Sequence, residues 1–385
     1  MRKSFYTLCL CTLYLVPLYI FVSCSRQETR VLFGHQDDVV YGSGWQRLAD
    51  STYADTRSCI HDLTGEWPDL IGFDIGGIEL NHSRNLDSVP FSRMLEECAR
   101  QFERGGKVTL SWHARNPLTG GNSWDATPCL AQIVDSSTAV HDTMQVWIER
   151  AAAFVAQIAA LQKQPDQLII RLWHEQSGNW FWWGREAGSA DDYIALWRWT
   201  RTVMDKQLSL CTSYIRPSYI TGSLVHGTLS PCTLLFAYSP DKLTLYEDTP
   251  EGAYRETAEW YPGDEYVDII GTDCYHHGGA EGTDDYLYRA HRQLDAAARL
   301  AKEHGKHLAF TETGCEALRC PNWYTTVLLP LLREYPDIEY VLVWRNAWDI
   351  PTHYFLPLPG TSEAEDFKSF IQQISNLKCQ ISNLK

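Results

Sequence analysis

The sequence predicts a (β/α)8 TIM barrel that forms a single domain, and three observations lead to that prediction. Short apolar segments with β-strand character recur eight times along the chain. They are almost continuously apolar, as parallel strands buried on both faces should be, and helical patterns lie between most of them. The predicted strands span 30–36, 69–77, 107–114, 167–175, 233–240, 267–275, 307–314 and 340–346.

Four helices are predicted between these strands. The segment 91–106 has apolar residues at helical spacing and ends in glycine, as does the segment 286–305. The segment 144–163 is rich in alanine and leucine and gives the strongest helical pattern, and a further helix is predicted over 190–207. The stretch 209–232, which precedes the fifth strand, is an insertion without a defined pattern. The C-terminal ISNLKCQISNLK repeats a pentapeptide for which the sequence offers no physical account.

The N-terminus predicts export. Arg2 and Lys3 precede an apolar run over 5–22, and Cys24 follows Ser23. This pattern is typical of a bacterial lipoprotein signal, in which the cysteine becomes the lipidated N-terminus. We therefore expect a signal peptide over 1–24 and a catalytic domain over 25–385, attached to the outer membrane by its lipid on a face that the sequence does not define. A plain signal peptide or a single membrane anchor are the alternatives.

Charge and size restrict the partners. The 385 residues carry a net charge of −15, which argues against nucleic acid or an anionic lipid surface and is compatible with a neutral substrate. A barrel reaches this length as one domain. We expect a monomer that needs no cofactor.

The cysteines favour neither a zinc site nor a complete disulfide framework. After residue 24 the chain has nine cysteines, an odd number, so at least one must be free. The sequence contains no CxxC pair, which disfavours a zinc site. A local Cys315–Cys320 disulfide is the pairing that spacing suggests, because an exported chain permits disulfides.

Polar and aromatic residues gather where the predicted strands end. In a parallel barrel these ends form the mouth that carries the active site. A single polar strand end is usually a cap or a satisfied polar residue, but the whole set is harder to explain that way. The residues are His35, Asp74, His113, His174, Glu175, Asp273, Tyr275, Glu312, Trp344 and Arg345.

Two of these residues, Glu175 and Glu312, are carboxylates that follow the fourth and seventh strands. Hydrolysis of a glycosidic bond with retention needs two carboxyl groups about 5–5.5 Å apart, one as proton donor and one as nucleophile. Closure of the barrel brings distant strand ends together. The aromatic residues that follow Glu175 in RLWHEQSGNWFWWG (171–184) would desolvate that carboxyl and raise its pKa, as an acid catalyst requires.

Other chemistries fit less well. The sequence has no GxSxG elbow, HEQSG lacks the second histidine of HExxH, and GSGW (42–45) lacks the third glycine of a dinucleotide fingerprint. The adjacent histidines of CYHHGG (274–279) should face different ways. A metal held by His113, His174 and Glu175 is the remaining alternative and ranks below the two-glutamate interpretation.

The motifs resemble glycoside hydrolase family 26. GHQDDVVYGSGW (34–45), SWHARNP (111–117), RLWHEQSGNWFWWG, GTDCYHH (271–277), FTETG and VWRN (343–346) occur in the order found in that family, from about Phe33 to Arg345. Leu172 stands where the family usually has proline. The resemblance implies a (β/α)8 barrel with a retaining mechanism, in most members an endo-β-1,4-mannanase.

The resemblance also implies roles for individual residues. Glu175 is similar to the acid/base of the family and Glu312 to its nucleophile. His174 resembles the histidine that helps to orient the nucleophile region, and Tyr275 the tyrosine that hydrogen-bonds the nucleophile. His113, Trp180 and Trp344 resemble walls of the sugar site, and Asp273 and Arg345 resemble polar substrate contacts. Trp182 and Trp183 lie in the same loop, and at least one is expected to pack beneath it.

The predicted function is hydrolysis of β-mannan, galactomannan or glucomannan by a retaining endo-β-1,4-mannanase through double displacement. An exo-acting enzyme that releases mannobiose is an alternative, for which loops 77–90, 115–140 and 209–232 would supply walls. A β-1,3-xylanase or a mixed-linkage β-glucanase of the same family is another. A non-catalytic glycan-binding lipoprotein would keep the aromatic residues but would have no use for both glutamates.

Overall fold

The computed structural model describes residues 30–40, 57–213 and 232–377. The predicted lipoprotein signal over 1–24, the GSGW segment, most of the 209–232 insertion and the second copy of the C-terminal pentapeptide lie outside these ranges.

The described residues contain eight parallel strands that close into a barrel in chain order, which confirms the predicted fold class. The circle is completed where the first strand pairs with the last, with Leu32 opposite Tyr340. The observed strands are shorter than the apolar runs because several runs continue into the loops at the barrel mouth. They are β1 (Leu32–Gln36), β2 (Leu70–Asp74), β3 (Lys107–Ser111), β4 (Leu168–Arg171), β5 (Leu235–Tyr238), β6 (Ile269–His276), β7 (His307–Cys315) and β8 (Ile338–Val343).

Helices surround the barrel, and all four predicted ones are present, with shifted ends. The described helices are α1 (Cys59–Thr64), α2 (Phe91–Glu103), α3 (Leu130–Val134), α4 (Ala139–Ala159), α5 (Ala190–Ser213), α6 (Pro250–Glu259), α7 (Thr283–His304), α8 (Leu329–Glu334) and α9 (Ser362–Ile374).

The helices that the sequence analysis missed are mostly short. Of these, α1, α3 and α8 have five or six residues, too few to show a helical period. The start of α6 does carry a sequence signal, since Thr249 accepts a hydrogen bond from Gly252 N and Pro250 occupies the first turn. A five-residue π-helical turn, Tyr324–Leu328, leads into α8.

Alternation along the strands divides the core in two. One set of apolar side chains fills the barrel, and the other packs between the barrel and its helices. Gly34 shows how close the strands come, because a Cβ there would lie 2.8 Å from Leu70 O. The interior set consists of Leu70, Ile169, Ala237, Ile269, Ala309, Tyr340 and Leu342.

The suggested Cys315–Cys320 disulfide is wrong. Both residues are buried free thiols. Cys320 Sγ lies 3.6 Å from Thr283 Oγ1 at the start of α7. Between the two cysteines, Ala317 and Leu318 have positive φ.

In the part of the chain that the structure describes, no helix has both the length and the apolar character needed to cross a bilayer.

Candidate active site

A cavity of about 250 Å³ opens at the C-terminal ends of the strands. It contains seven of the nine residues predicted for the site, all except Asp273 and Arg345. Its lining also includes residues that the sequence analysis did not select. The lining residues are His113, Trp124, His174, Glu175, Trp180, Phe181, Tyr275, His277, Glu312, Glu316, Trp344, His353 and Phe355.

A β-bulge in β7 aims Glu312 into the cavity. Ala309 points into the barrel and Phe310 points outward, so simple alternation would send Thr311 inward and Glu312 outward. The register with β6 shifts here, however, and Glu312 lies opposite Asp273. The extra residue re-aims the strand, and both Thr311 and Glu312 then face the mouth. Thr311 Oγ1 donates to Asp273 Oδ1 at 2.6 Å.

Both carboxylate oxygens of Glu312 accept hydrogen bonds. Arg171 Nη2 donates to Oε1, and the Tyr275 hydroxyl donates to Oε2 at 2.6 Å. The same guanidinium donates through Nη1 to Asp273 Oδ2 at 2.7 Å. Charge-assisted bonds of this kind favour the ionised carboxylate and fix its orientation. Glu312 is therefore a buried carboxylate with a fixed direction.

Arg171 is one functional residue that sequence reasoning missed. It is 1% exposed at the end of β4, inside the apolar run LIIRLW. A signal for it existed, because a charged residue within a buried strand must find partners of opposite charge. The strand ends of a barrel mouth are where carboxylate partners would be expected.

Asp273 lies beneath the cavity. Its side chain is fully buried and hydrogen-bonded to Arg171 and Thr311. The structure therefore places Asp273 below the cavity floor, although the sequence analysis predicted a substrate contact. Burial raises the pKa of Asp273 to about 6, and Arg171 opposes that rise.

Arg345 also lies away from the cavity lining. Its Nε atom pairs with Asp87 Oδ1 at 3.0 Å, in the loop that follows β2.

The loop after β4 holds Glu175 in a strained backbone conformation. Both Trp173 (φ 40°) and Glu175 (φ 56°) occupy the left-handed region, which is unfavourable for residues other than glycine. The strain is offset by surrounding bonds, including Glu175 N to Ser239 O at 2.8 Å. Trp180 Nε1 donates to Glu175 Oε2 at 2.7 Å. Gly178 permits that contact, since a Cβ there would lie 2.4 Å from the Trp180 ring.

The environment of Glu175 favours its protonated form. Burial raises the pKa of Glu175 well above its usual range, and the nearby carboxyls of Asp241 and Asp273 raise it further. Arg171 and the Trp180 N–H act in the opposite direction. Glu175 and Glu312 are thus two carboxyl groups in contrasting settings: the first has a raised pKa, and the second is held by a guanidinium and a hydroxyl.

A hydrogen-bonded chain of three residues forms the wall beside Glu175. His113 Nδ1 lies 2.7 Å from Asp74 Oδ2, and His113 Nε2 lies 3.2 Å from His174 Nε2. Burial, with the positive charges of Arg171 and His113, lowers the pKa of His174 well below its usual range. His174 is therefore a neutral ring whose described partner is His113, while the hydrogen bonds to Glu312 come from Arg171 and Tyr275.

The tryptophans of the central motif have different positions. Trp180 lines the cavity, but Trp182 and Trp183 are both fully buried. Their indole N–H groups donate to Ala114 O at 2.9 Å and to His174 O at 2.7 Å, which satisfies each buried donor. The loop therefore uses both tryptophans as support, and Phe181 lines the cavity instead.

Among the residues that the structure describes, two groups of side chains have the composition of a metal site. Oxygens of Glu175, Asp273 and Glu312 lie within 4.8 Å of one another, but they already accept hydrogen bonds from Arg171, Tyr275 and Trp180. This arrangement leaves little for a cation to bind.

The second group, His35, Asp38 and Cys59, also fits a metal poorly. Burial and the Asp38 charge raise the pKa of Cys59 well above its usual range, whereas a metal requires the thiolate. His35 Nδ1 lies 2.9 Å from Asp38 Oδ1, so this group is a buried hydrogen-bond network.

Comparison with known proteins connects this geometry to one family. The family model described as glycosyl hydrolase family 26 matches residues 18–210 and 229–308. A solved structure, described as a GH26 β-mannanase from Bacteroides ovatus, has 35% sequence identity and a TM-score of 0.74, with 90% of each chain covered.

Curated relatives agree with this match. A mannan endo-1,4-β-mannosidase from Bifidobacterium adolescentis is 25% identical over 379 residues, which cover 93% of this chain and 35% of the relative. A protein of the same name from Bacillus subtilis strain 168 is 25% identical over 328 residues, 84% of this chain and 76% of the relative. The chain thus spans about a third of the length of the Bifidobacterium protein.

Proposed function

Because the chain belongs to glycosyl hydrolase family 26, we propose that it is a retaining endo-β-1,4-mannanase that hydrolyses β-mannan, galactomannan or glucomannan. The observation that carries the proposal is the pair of Glu175 and Glu312, which have contrasting environments at the mouth of one barrel. The names of the relatives support mannan as the substrate class.

The separation of the two carboxyl groups supports retention. Oxygens of Glu175 and Glu312 lie within 4.8 Å of each other. Inverting enzymes need about 6.5–9.5 Å between carboxyl groups to admit a water, whereas retaining enzymes use about 5–5.5 Å. The observed spacing falls below the range of inverting enzymes and is compatible with that of retaining enzymes, so direct attack by one carboxylate is the mechanism that fits.

In the first step, Glu312 attacks the anomeric carbon while Glu175 gives its proton to the departing glycosidic oxygen. The C–O bond to the leaving sugar breaks, and a glycosyl ester with Glu312 forms. Arg171 and Tyr275 hold the nucleophile in its attacking direction. In the second step Glu175, now ionised, removes a proton from water, and that water releases the sugar from Glu312.

The test of this function is product analysis on a panel of polysaccharides. The purified protein is incubated with mannan, galactomannan, β-1,3-xylan and mixed-linkage β-glucan, and the products are sized over time. We expect a broad ladder of manno-oligosaccharides early in the reaction. Mannobiose as the only product from the start would indicate exo action, and cleavage of another polysaccharide would reassign the substrate. Absence of any released reducing sugar would contradict the proposal that the protein is an enzyme.

Tyr275→Phe tests the positioning of Glu312. The variant loses one hydrogen bond of 2.6 Å to a carboxylate while keeping the ring. Bonds to charged groups contribute about 1.5–3 kcal/mol, so kcat on mannan should fall roughly 10- to 150-fold. Tyr288→Phe, a change at an exposed tyrosine in α7, serves as the matched control. Equal kcat values for wild type and Tyr275→Phe would show that the hydroxyl does not position the nucleophile.

We also propose that the protein is exported and anchored to the outer membrane through lipid on Cys24. The support is the signal pattern over 1–24. Cys24→Ser should move the protein from the membrane fraction to the soluble fraction and abolish labelling by a fatty acid. A variant that stays with the membrane and still incorporates label would contradict lipidation at this residue.

A further inference from the structure

We propose that Gln293 is a positioning residue for the acid of the reaction: its side-chain amide keeps Asp241 ionised beside Glu175, so that Glu175 is the member of the pair that holds the proton. Gln293 lies on α7, which packs against β6, and it does not line the catalytic cavity. The proposal rests on the proposed function, because it takes Glu175 to be the acid.

Gln293 occupies a position in α7 where helical spacing favours an apolar side chain. It is 3% exposed and lies on the buried face of the helix, together with Ala290, Leu294 and Ala297. Burial of an amide is unfavourable unless its polar atoms find partners. The hydrogen bonds that this amide makes must therefore offset the cost of its burial.

The amide nitrogen of Gln293 bridges two residues whose charges act on Glu175. Nε2 donates to Asp241 Oδ1 and to Asp273 O, both at 3.0 Å. A backbone carbonyl can only accept, so the contact with Asp273 O requires the NH2 end of the amide at this place. Asp241 Oδ1 consequently meets a donor, and a donor stabilises the ionised carboxylate more than the neutral acid.

The loop that carries Asp241 is bonded to the loop that carries the acid. Asp241 N donates to Ser177 Oγ at 2.9 Å, and Glu175 N donates to Ser239 O at 2.8 Å. The two loops are therefore joined at two points, which keeps the two carboxyl groups near each other. Asp241 is buried, so water screens its charge less than it would at the surface.

Asp241 and Glu175 titrate as a pair. Burial and the charge of Asp273 raise the pKa of Asp241 to about 7, although the hydrogen bond from Gln293 acts to lower it. Burial and the charge of Asp241 raise the pKa of Glu175 well above its usual range. The first proton therefore leaves Asp241, and the negative charge that remains opposes the loss of the second proton, from Glu175.

Two positive charges also favour the ionised form of Asp241. Lys242 follows it in the chain, Arg289 lies one helical turn before Gln293, and both lower the pKa of Asp241. Of the three groups, Gln293 has the largest effect, and it acts through a direct hydrogen bond. The groups that act on Glu175 itself include Asp241, Asp273, Arg171 and Trp180.

The experiment removes the amide of Gln293 and measures the pH profile. Gln293→Met keeps most of the volume of the side chain but has no N–H to donate. We expect the pKa of Asp241 to rise, so that Glu175 loses its proton while its neighbour is still neutral. The basic limb of kcat/KM on mannan should then move to lower pH, by at least about half of the shift that Asp241→Asn produces.

Gln101→Met is the matched control. Gln101 is a buried glutamine on α2, and its Nε2 donates to Pro68 O at 2.9 Å, at the opposite end of the barrel. The control therefore loses a buried amide without touching the pair of carboxyl groups, and it should leave both limbs of the profile in place.

A double variant separates the effect of the charge from a general disturbance of the site. In the Asp241→Asn background the carboxylate is absent, so Gln293→Met should add no further shift. An equal shift in both backgrounds, or a basic limb that Gln293→Met leaves in place, overturns the proposal. Gln293→Asn is the second variant if the methionine variant does not fold. Its amide is one methylene too short to reach Asp241, and it should move the limb in the same direction.

Titration by NMR separates the role of Gln293 from the proposed activity. Isotope-labelled carboxyl carbons report the ionisation of Asp241 and Glu175 without substrate, and Asp241→Asn and Glu175→Gln assign their signals. A raised pKa of Asp241 and a lowered pKa of Glu175 in Gln293→Met would support the role of Gln293, even if the wild-type protein released no sugar from mannan. Normal cleavage of mannan with unchanged titration of both carboxyl groups would support the activity and overturn the role of Gln293.

Discussion

Glu312→Ala is expected to lower kcat on mannan by at least about a thousandfold while the protein remains folded. The variant removes the only group that the proposed mechanism uses to form a covalent bond to the sugar. Arg171 keeps its bond of 2.7 Å to Asp273, so its charge is not left alone in the core. Circular dichroism and a thermal melt check that the fold is intact.

Chemical rescue makes this prediction specific for a nucleophile. Substitution by alanine leaves space beside the anomeric carbon, and azide can enter it. With an aryl β-mannoside whose leaving group needs no proton, azide should attack directly and release α-mannosyl azide, a product of inverted configuration. Rescue of this kind would show that the missing carboxylate normally attacks the same carbon.

The control is a glutamate on a neighbouring loop. Glu281 is exposed in the turn before α7, where it accepts a bond of 3.1 Å from Gly279 N. Glu281→Ala should keep the wild-type kcat. Turnover by Glu312→Ala close to that of Glu281→Ala, or an azide product of retained configuration, would remove Glu312 from the proposed role.

The fold was predictable because the spacing of apolar residues along each strand and helix follows from which of its faces are buried. Eight apolar runs give eight strands, and the strands of a parallel barrel converge whatever the details of their loops. The same logic brought His113, Glu175 and Glu312 into one cavity. Whether a residue lies at the end of a strand depends on where the strands fall along the chain, and the sequence shows this directly.

The direction of individual side chains was less predictable. The bulge at Thr311 depends on pairing between β6 and β7, which no local pattern reveals, yet it determines where Glu312 points. At least one of Trp182 and Trp183 was expected to pack beneath the loop, and both are fully buried, because composition does not show which face of a loop is covered. Asp273 was assigned to the cavity and lies beneath it, paired with Arg171.

Loop residues of the mouth were missed for a related reason. Trp124, His353 and Phe355 line the cavity, but each lies several residues beyond its strand in an irregular loop. Their approach depends on how those loops fold back over the barrel. Trp124 offered one signal, since an aromatic residue among glycine, asparagine and serine in TGGNSWD (119–125) does not fit the pattern of a core segment.

Glu175→Gln is expected to lower kcat on mannan by roughly 10²- to 10⁴-fold, the usual contribution of general acid catalysis. Glutamine keeps the volume of the side chain but cannot transfer a proton. With an aryl β-mannoside that has an activated leaving group, the first step does not need the acid. A burst of released phenol should then precede slow hydrolysis, because the second step still lacks its base.

The pH profile follows from the sign of the pKa shift. Burial, Asp241 and Asp273 raise the pKa of Glu175 above its usual value, and the first step requires the protonated form. Activity should therefore be present below the raised pKa and be lost as the pH rises through it. The basic limb of kcat/KM belongs to Glu175, and Glu175→Gln should abolish that limb.

Asp241→Asn tests the cause of the shift. Burial and the charge of Asp273 raise the pKa of Asp241 to about 7, and the ionised form then disfavours a second charge on Glu175. Removal of that charge should lower the pKa of Glu175 and move the basic limb to lower pH, with little change in the acid limb. Asp285→Asn, at an exposed carboxylate in α7, should leave both limbs in place. A basic limb that survives Glu175→Gln would transfer the acid role to another group, and one unmoved by Asp241→Asn would attribute the raised pKa to burial alone.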